Sequence, residues 1–309
     1  MEKVSGSAPG KVILFGEHAV VYGRPAIAVP VTNISAQSSV QAKTGGLTIH
    51  AVDLDRTINV NIAEPSDPLE ISVLKILKYL KNEQNFGLSI KLSSSIPIGG
   101  GFGSSAAIST ALIRSLAAFF ATPISDDQVN QLAFEIEGMY HGTPSGVDNT
   151  VIVYNQPLYF VRNVTMNHFS VGKPMHLVIA DTGILASTHE TVSDVRAGWH
   201  QDPSRHEALF DDIGSTVDAA HQAIAEGDLV EVGRLMDENH TRLQELDVSS
   251  MALDRIVFAA RGAGALGAKL SGGGRGGNVV ILTMPWARDD VVAAVTKAGA
   301  IGILETVLE

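Results

Sequence analysis

Apolar and polar positions alternate in short blocks over the first sixty residues, and this pattern predicts strands and turns. Val12–Phe15 and Ile27–Val31 are apolar runs, while Ser38–Ala42 and Leu47–Val52 alternate loosely around Gly45-Gly46. The period then lengthens. Leu69, Val73, Ile76, Leu77 and Leu80 recur at helical spacing, with Lys75, Lys78 and Lys81 off that face. Leu88–Leu92 returns to strand alternation and leads into a serine-proline-glycine break. Ser104–Ala121 is rich in alanine and leucine and holds neither proline nor glycine, so it predicts a buried helix. Ser125 with Gln128 three residues on has the form of a capping box. It opens a helix with Val129, Leu132, Ala133, Ile136 and Tyr140 inward.

Val151–Tyr154 and Leu158–Val161 read as a hairpin, and His176–Ala180 as a buried strand. Amphipathic helices are expected over Thr188–Ala197, His206–Glu226 and Leu229–Leu246. Gly262–Gly277 is glycine-rich, Val279–Thr283 is the strand leaving it, and Asp289–Ala298 is a last helix. The texture changes near 155–175. With 309 residues, and about 150 residues per domain as a prior, two domains are expected, 1–165 and 166–309.

Composition narrows the function classes. Hydrophobic residues make up 45% of the chain, enough for a sizeable core, so disorder is excluded. The formal net charge of −11 argues against a broad nucleic-acid surface. Cysteine is absent, which removes disulfides, thiolate metal sites and cysteine nucleophiles together. The N-terminal residues lack the apolar core of a signal peptide, and charge interrupts every long apolar stretch, so no membrane span is expected. The expectation is a soluble, cytoplasmic protein.

Glycine numbers 30, and it is concentrated in two places. The first, Pro97-Ile98-Gly99-Gly100-Gly101-Phe102-Gly103-Ser104-Ser105-Ala106-Ala107, lies between a predicted strand and a predicted helix. Glycines let backbone N–H groups approach an anion, and the helix presents unpaired donors and a positive dipole end at the same point. Ser104 and Ser105 place two hydroxyls where a phosphate or its metal ion would sit. The loop lacks the lysine of a Walker motif, and Ser104 breaks a dinucleotide fingerprint begun at Gly99. No protein-kinase triplet and no nucleophile elbow occurs in the chain. The second cluster, Lys269-Leu270-Ser271-Gly272-Gly273-Gly274-Arg275-Gly276-Gly277-Asn278, precedes an apolar strand. Glycine is costly there, so a ligand or another part of the chain is expected to approach this backbone closely.

Polar residues gather at two further places. Lys11 precedes the apolar run Val12–Phe15, and Glu17 and His18 follow it. Glu137 stands near the end of its predicted helix, with Gly142 as terminator and Pro144-Ser145-Gly146 as a turn. Asp148 then falls at the entrance to the predicted strand Val151–Tyr154. Asp148 reads as either a turn residue or half of a pair in which one carboxylate binds magnesium and the other faces a hydroxyl nucleophile.

Together these segments resemble one family, the GHMP kinases. Pro97–Ala107 is similar to the family's Pro-x-Gly-x-Gly-Leu-Gly-Ser-Ser-Ala loop, with Phe102 in the leucine place, and Lys269–Gly277 to its C-terminal glycine motif, with Arg275 where glycine is frequent. Gly-Glu-His-Ala-Val-Val-Tyr-Gly within Ala8–Gly23, and His141–Asn149, resemble the mevalonate-phosphorylating branch. The resemblance spans residues 8 to 278 in the family's order. It implies a two-domain α+β GHMP kinase fold, with a ribosomal S5-like N-terminal domain and a ferredoxin-like C-terminal domain.

The resemblance further implies ATP-dependent phosphorylation of the primary hydroxyl of mevalonate to 5-phosphomevalonate, with magnesium. Asp148 matches the catalytic aspartate and Lys11 the lysine paired with it. Gly99, Gly100, Gly101, Gly103, Ser104 and Ser105 match the ATP phosphate loop, and Ser105 and Glu137 the magnesium ligands. Lys11, Glu17, His18, Asp148 and, by a looser match after Asp181-Thr182-Gly183, Thr188 fall where substrate binds. A phosphomevalonate kinase, a sugar kinase and a sensor module without turnover are the rival readings. The sensor has no use for a proton acceptor at Asp148. Partners are then ATP and mevalonate, with neither nucleic acid nor membrane. The acidic helices over 206–246 are a solvated face or part of a homodimer contact.

Overall fold

The structure is a computed structural model that describes residues 3–82, 87–97, 99–141 and 145–309. The chain folds into two compact units: Met1–Lys11, Ile34–Ile98 and Phe102–Asn155 form one, and Val12–Asn33, Gly99–Gly101 and Gln156–Glu309 the other.

Strands β1 (Val4–Phe15) and β2 (Pro25–Ala42) are joined through a 3₁₀ turn at Ala19–Tyr22, and both contribute residues to each unit. They are longer than the apolar runs that announce them, because polar residues continue the ladder on the exposed face. In the first unit, β3 (Leu47–Ala51) and β4 (Arg56–Asn59) form an antiparallel pair. Helix α1 (Pro68–Tyr79) then leads to β5 (Leu88–Ser94), which pairs parallel with β3 and antiparallel with Ala36–Ala42 of β2. Helices α2 (Ser104–Phe119) and α3 (Asp126–His141) complete the layer that covers this sheet. Ile49, Ile90 and Val40 from the strands meet Val73, Ile76, Leu112, Leu116 and Ile136 from the helices in one core. The helix starts are specified locally. Asp67 and Glu70 form a capping box on α1, with Pro68 at its first turn. At α3 the Ser125 N–H donates to Gln128 Oε1 at 2.9 Å, and Gln128 N–H returns a bond to Ser125 Oγ.

The segment Val147–Tyr154 is helix α4, so the hairpin expected over Val151–Val161 does not form. Val151, Ile152 and Val153 are all buried, and a run buried on every side carries no period to separate strand from helix. Gly146 caps the helix with φ +82, and Asn155 ends it in the left-handed region. Gly142 and Pro144, expected to end α3 and turn the chain, lie outside the described residues, as do the side chains of Tyr140 and His141.

The second unit holds a short antiparallel pair, β6 (Leu158–Val161) and β7 (Thr165–His168), with β6 also pairing Pro25–Ala28 of β2. Strand β8 (Met175–Asp181) is followed by helices α5 (Thr188–Gln201), α6 (Pro203–Glu226), α7 (Leu229–Glu245) and α8 (Met251–Gly262). Strands β9 (Gly267–Ser271) and β10 (Asn278–Thr283), helix α9 (Arg288–Lys297) and strand β11 (Gly302–Leu308) close the chain. The sheet order is β11-β8-β10-β9, all antiparallel, which is a ferredoxin-like arrangement enlarged by extra helices after β8. Every residue of β10 is buried. The N-terminal piece of this unit is tied to α6: Tyr22 stacks on Phe210 with centroids 4.1 Å apart, and Arg24 pairs with Glu207 and Asp211. Helix α8 and strands β9 and β11 carry weaker sequence patterns, β9 because it lies inside the stretch that glycine dominates. Among the described residues, no helix is long and apolar enough to cross a membrane.

Candidate active site

In the first unit Lys11 and Asp148 meet. Lys11 Nζ lies 3.0 Å from Asp148 Oδ1, with the lysine side chain 8% exposed and the carboxylate 38% exposed. Lys11 is held by its own backbone, whose N–H donates to the Phe102 carbonyl at 2.9 Å. Asp148 stands in the first turn of α4, where the helix dipole favours a carboxylate. That helix is fixed in turn by Asn149, whose amide donates to Asn130 on α3, and by Arg114, which donates to the Val153 carbonyl at its far end. The pair therefore places an ammonium against one oxygen of a carboxylate that solvent still reaches.

The glycine loop leads directly to this pair. Gly99, Gly101 and Gly103 have φ of +75, +73 and +71, values that L side chains adopt only under strain, while Gly100 between them does not. Gly103 precedes α2 and has no side chain to cap it, so the positive end of the helix dipole at its first turn faces the loop without a side-chain cap. A Cβ at Gly103 would come within 2.9 Å of Ile152 Cδ1 and 3.1 Å of Lys11 Cγ. The missing side chain is thus the space that the Lys11 stem occupies. One residue into the helix, Ser105 Oγ donates to Glu137 Oε2 at 3.1 Å, and Glu137 is buried.

A hydroxyl and a carboxylate beside a phosphate loop form a hard oxygen donor set. Magnesium commonly takes one or two carboxylates from protein and completes its shell with phosphate oxygens and water, so Ser105 and Glu137 fit it. Among the described residues no group of three or more His, Cys, Asp or Glu is arranged for an all-protein metal site.

The second unit assembles the other predicted residues. Glu17 and His18 follow Gly16, whose φ is +93. The Glu17 carboxylate forms an ion pair with Lys269 on β9, and both side chains are essentially inaccessible, at 1% and 0% exposure. Burial pushes the Glu17 carboxyl up and the Lys269 ammonium down from their ordinary values, and their mutual attraction opposes both shifts. His18 Nε2 lies 3.0 Å from the Gly273 carbonyl. A carbonyl only accepts, so Nε2 carries the proton. Burial lowers the ring's pKa to about 4, helped by Arg275 and Lys269, so His18 is neutral with its Nδ1 lone pair unprotonated.

Thr188 opens α5 and packs on the second glycine loop, where a Cβ at Gly273 would stand 2.7 Å from Thr188 Oγ1. At the loop's end, Asn278 Nδ2 donates to the Gly100 carbonyl at 2.6 Å. Arg275 adopts φ +59 as a non-glycine residue and is held by Asp194.

Lys269, Asn239 and His240 were not singled out by sequence. Asn239 and His240 sit on the buried face of α7 with Val232, Leu235, Met236 and Leu243, and Lys269 interrupts a fully buried strand. Polar residues at positions where the period demands apolar ones were the available signal.

Two family models match the chain: "GHMP kinases N terminal domain" over residues 72–156 and "GHMP kinases C terminal" over residues 220–301. A mevalonate kinase of Thermococcus sibiricus is 33% identical, over 98% of this chain and 95% of that protein. A mevalonate kinase of Pyrococcus horikoshii is also 33% identical, with the same coverage of both. Among solved structures, that of L. major mevalonate kinase in complex with R-mevalonate superposes with a TM-score of 0.85 at 33% identity, covering 100% of this chain and 96% of that one.

Proposed function

Because the chain belongs to the GHMP kinase family, we propose that its activity is ATP-dependent phosphorylation of the primary hydroxyl of mevalonate, giving 5-phosphomevalonate. The observation that carries this reading is the Lys11–Asp148 pair, set beside the uncapped first turn of α2. The names of the relatives, and the R-mevalonate in the L. major structure, support the choice of alcohol.

Phosphoryl transfer needs an attacking oxygen aligned with the γ-phosphorus and cancellation of charge on the phosphoryl oxygens. Lys11 occupies one carboxylate oxygen of Asp148 and leaves the other to accept the hydroxyl proton of the substrate. The alcohol oxygen then bonds to the γ-phosphorus, the bond to the bridging oxygen breaks, and ADP leaves. In this reading the Lys11 ammonium orients Asp148 and offsets charge building on the transferred group. The N–H groups of the Gly99–Ser105 segment cradle the phosphates. Ser105 and Glu137 would hold the magnesium ion, which when bound neutralises charge on the β- and γ-phosphate oxygens. A cavity of about 290 Å³ in the first unit, lined by Leu54, Leu69, Leu92, Ile96, Ile108 and Ser104, offers an apolar slot for adenine next to the start of α2.

His18 and Thr188 are the proposed mevalonate contacts in the second unit, and Glu17, 1% exposed and paired with Lys269, supports the turn that carries His18. Neutral His18, with its Nε2 proton committed to Gly273, presents an acceptor and reads a substrate hydroxyl, not a carboxylate. The formal net charge of −11 is compatible with triphosphate binding when positive potential is supplied locally by Lys11 and the start of α2. Assays of mevalonate, phosphomevalonate, homoserine and galactose with ATP and magnesium, read by ADP release and ³¹P NMR of the product, test the reading. Turnover of mevalonate well above the others supports it, and preference for any of the other three contradicts it.

A further inference from the structure

A fully buried ion pair such as Glu17–Lys269 is weak evidence of a stabilising role. Removing two charges from water is costly, and an apolar pair of similar volume commonly serves stability as well or better. Its consequence must be sought in what the pair holds in place. Lys269 has 0% side-chain exposure, so it cannot touch a substrate itself. Its ammonium bridges the Glu17 carboxylate and the carbonyl of Leu270, 2.7 Å away.

Further bonds converge on the same two strips of backbone. Gly16 N–H donates to Asn239 Oδ1 at 3.4 Å, and Leu270 N–H donates to His240 Nδ1 at 3.3 Å, so adjacent residues of α7 grip the neighbours of Glu17 and of Lys269. His240 Nε2 reaches Asp254 on α8, which fixes the ring as a donor at Nε2 and an acceptor at Nδ1. Ser271 Oγ donates to the Ile13 carbonyl at 2.7 Å, tying the end of β9 to the strand that delivers Glu17. His18 Nε2 bonds Gly273 on the far side.

Between these anchors the chain is strained. His18 has φ 63 and ψ −52, outside the left-handed well that non-glycine residues visit. Such a conformation persists only where its surroundings over-determine it, and it commonly marks a functional position.

We propose that Lys269 is a positioning residue for substrate: through Glu17 it locks the Gly16-Glu17-His18 turn to the second glycine loop and so presets the groups that receive mevalonate. This rests on the reading that His18, carried on this turn, meets the substrate. The bonds of the lock fall on the Gly16–His18 turn and on Leu270–Gly273, apart from the Asn278 bond that reaches Gly100 of the ATP loop, so its loss is expected to fall mainly on the KM for mevalonate.

The test compares Lys269→Met with Lys269→Arg in the full-length enzyme, after wild-type turnover of mevalonate has been established. Absence of that turnover overturns the functional reading and not the lock. In Lys269→Met the KM for mevalonate is expected to rise at least about ten-fold while the KM for ATP stays within about two-fold, since small misplacements of binding groups cost that much or more. Lys269→Arg, which keeps the charge, is expected to recover most of the loss. A folded Lys269→Met enzyme with unchanged KM for mevalonate overturns the proposal, and so does an equal rise in both KM values. Where Lys269→Met does not fold, Ser271→Ala gives the same reading. Loss of its bond to Ile13 is expected to raise the KM for mevalonate about three-fold with that for ATP unmoved, and no change in either overturns the lock.

Discussion

Lys11 Nζ stands 3.0 Å from Asp148 Oδ1 although the two residues are far apart in sequence, one on β1 and the other in the first turn of α4. The ammonium is nearly buried and the carboxylate is open to solvent on its other side. In the proposed mechanism this asymmetry divides the labour, with the lysine balancing charge and the aspartate accepting the substrate's proton. Lys11→Met is therefore expected to lower kcat by about 10²–10³-fold, the scale of one lost preorganised donor. Steady-state kinetics check this. A fall in kcat below about ten-fold is incompatible with a charge-balancing role.

Gly103→Ala is expected to reduce both stability and turnover. The position has φ +71, and a Cβ there meets Ile152 and the Lys11 stem. Gly101 has a similar φ, +73, but nothing lies within 4 Å of a Cβ placed on it. Gly101→Ala thus adds no clash, and its stability loss reports backbone strain, about 1–2 kcal/mol. Gly103→Ala adds displacement of Lys11 and is expected to lose at least about ten-fold more kcat than Gly101→Ala. Urea denaturation midpoints and kcat for both variants separate the two effects.

Glu137→Gln keeps the shape of a buried side chain that receives the Ser105 hydroxyl and removes its charge. The expected outcome is a rise of about ten-fold or more in the magnesium concentration needed for half-maximal rate, with the KM for mevalonate little altered. Titration of activity with magnesium at saturating ATP measures it. An unchanged magnesium dependence removes Glu137 from the proposed metal site.

Acid sensitivity is expected from His240. Burial lowers its pKa from 6.5 to about 4, with Arg261 adding to the shift and Asp254 opposing it. The unfolded chain therefore binds more protons than the folded one between these two values. The contribution to stability is complete above about 6.5 and is lost as the pH falls toward 4, with an upper bound on the order of 3 kcal/mol. His240→Gln is expected to flatten this part of the stability–pH curve, measured by urea unfolding at pH 7 and pH 5. An identical slope in wild type and variant contradicts the assignment.

Much of this arrangement was legible in the chain. The Ser125–Gln128 box, the Gly99–Ser105 loop ahead of a helix and the long C-terminal helices are written in local chemistry, and they appear where that chemistry puts them. The element carrying Asp148 was not. Val151, Ile152 and Val153 favour strands by propensity, but they are buried on every side, and Gly146 with Asn155 delimits a short helix instead. Lys269 escaped notice for a related reason. A single lysine before a glycine run reads as solvated until the structure brings Glu17, more than two hundred residues away in sequence, against it. Long-range pairing of charges has no local signature, whereas caps, loops and helical periods do.

Asp148→Asn tests most directly the proposal that Asp148, paired with Lys11, accepts the mevalonate hydroxyl proton as the γ-phosphoryl group of ATP is transferred. The substitution keeps the size and the contact with Lys11 while removing the proton acceptor. The prediction is a fall in kcat of about 10²–10⁴-fold at saturating ATP, magnesium and mevalonate, with the variant folded and its KM for ATP preserved. A folded Asp148→Asn enzyme that phosphorylates mevalonate at near wild-type kcat would contradict the account.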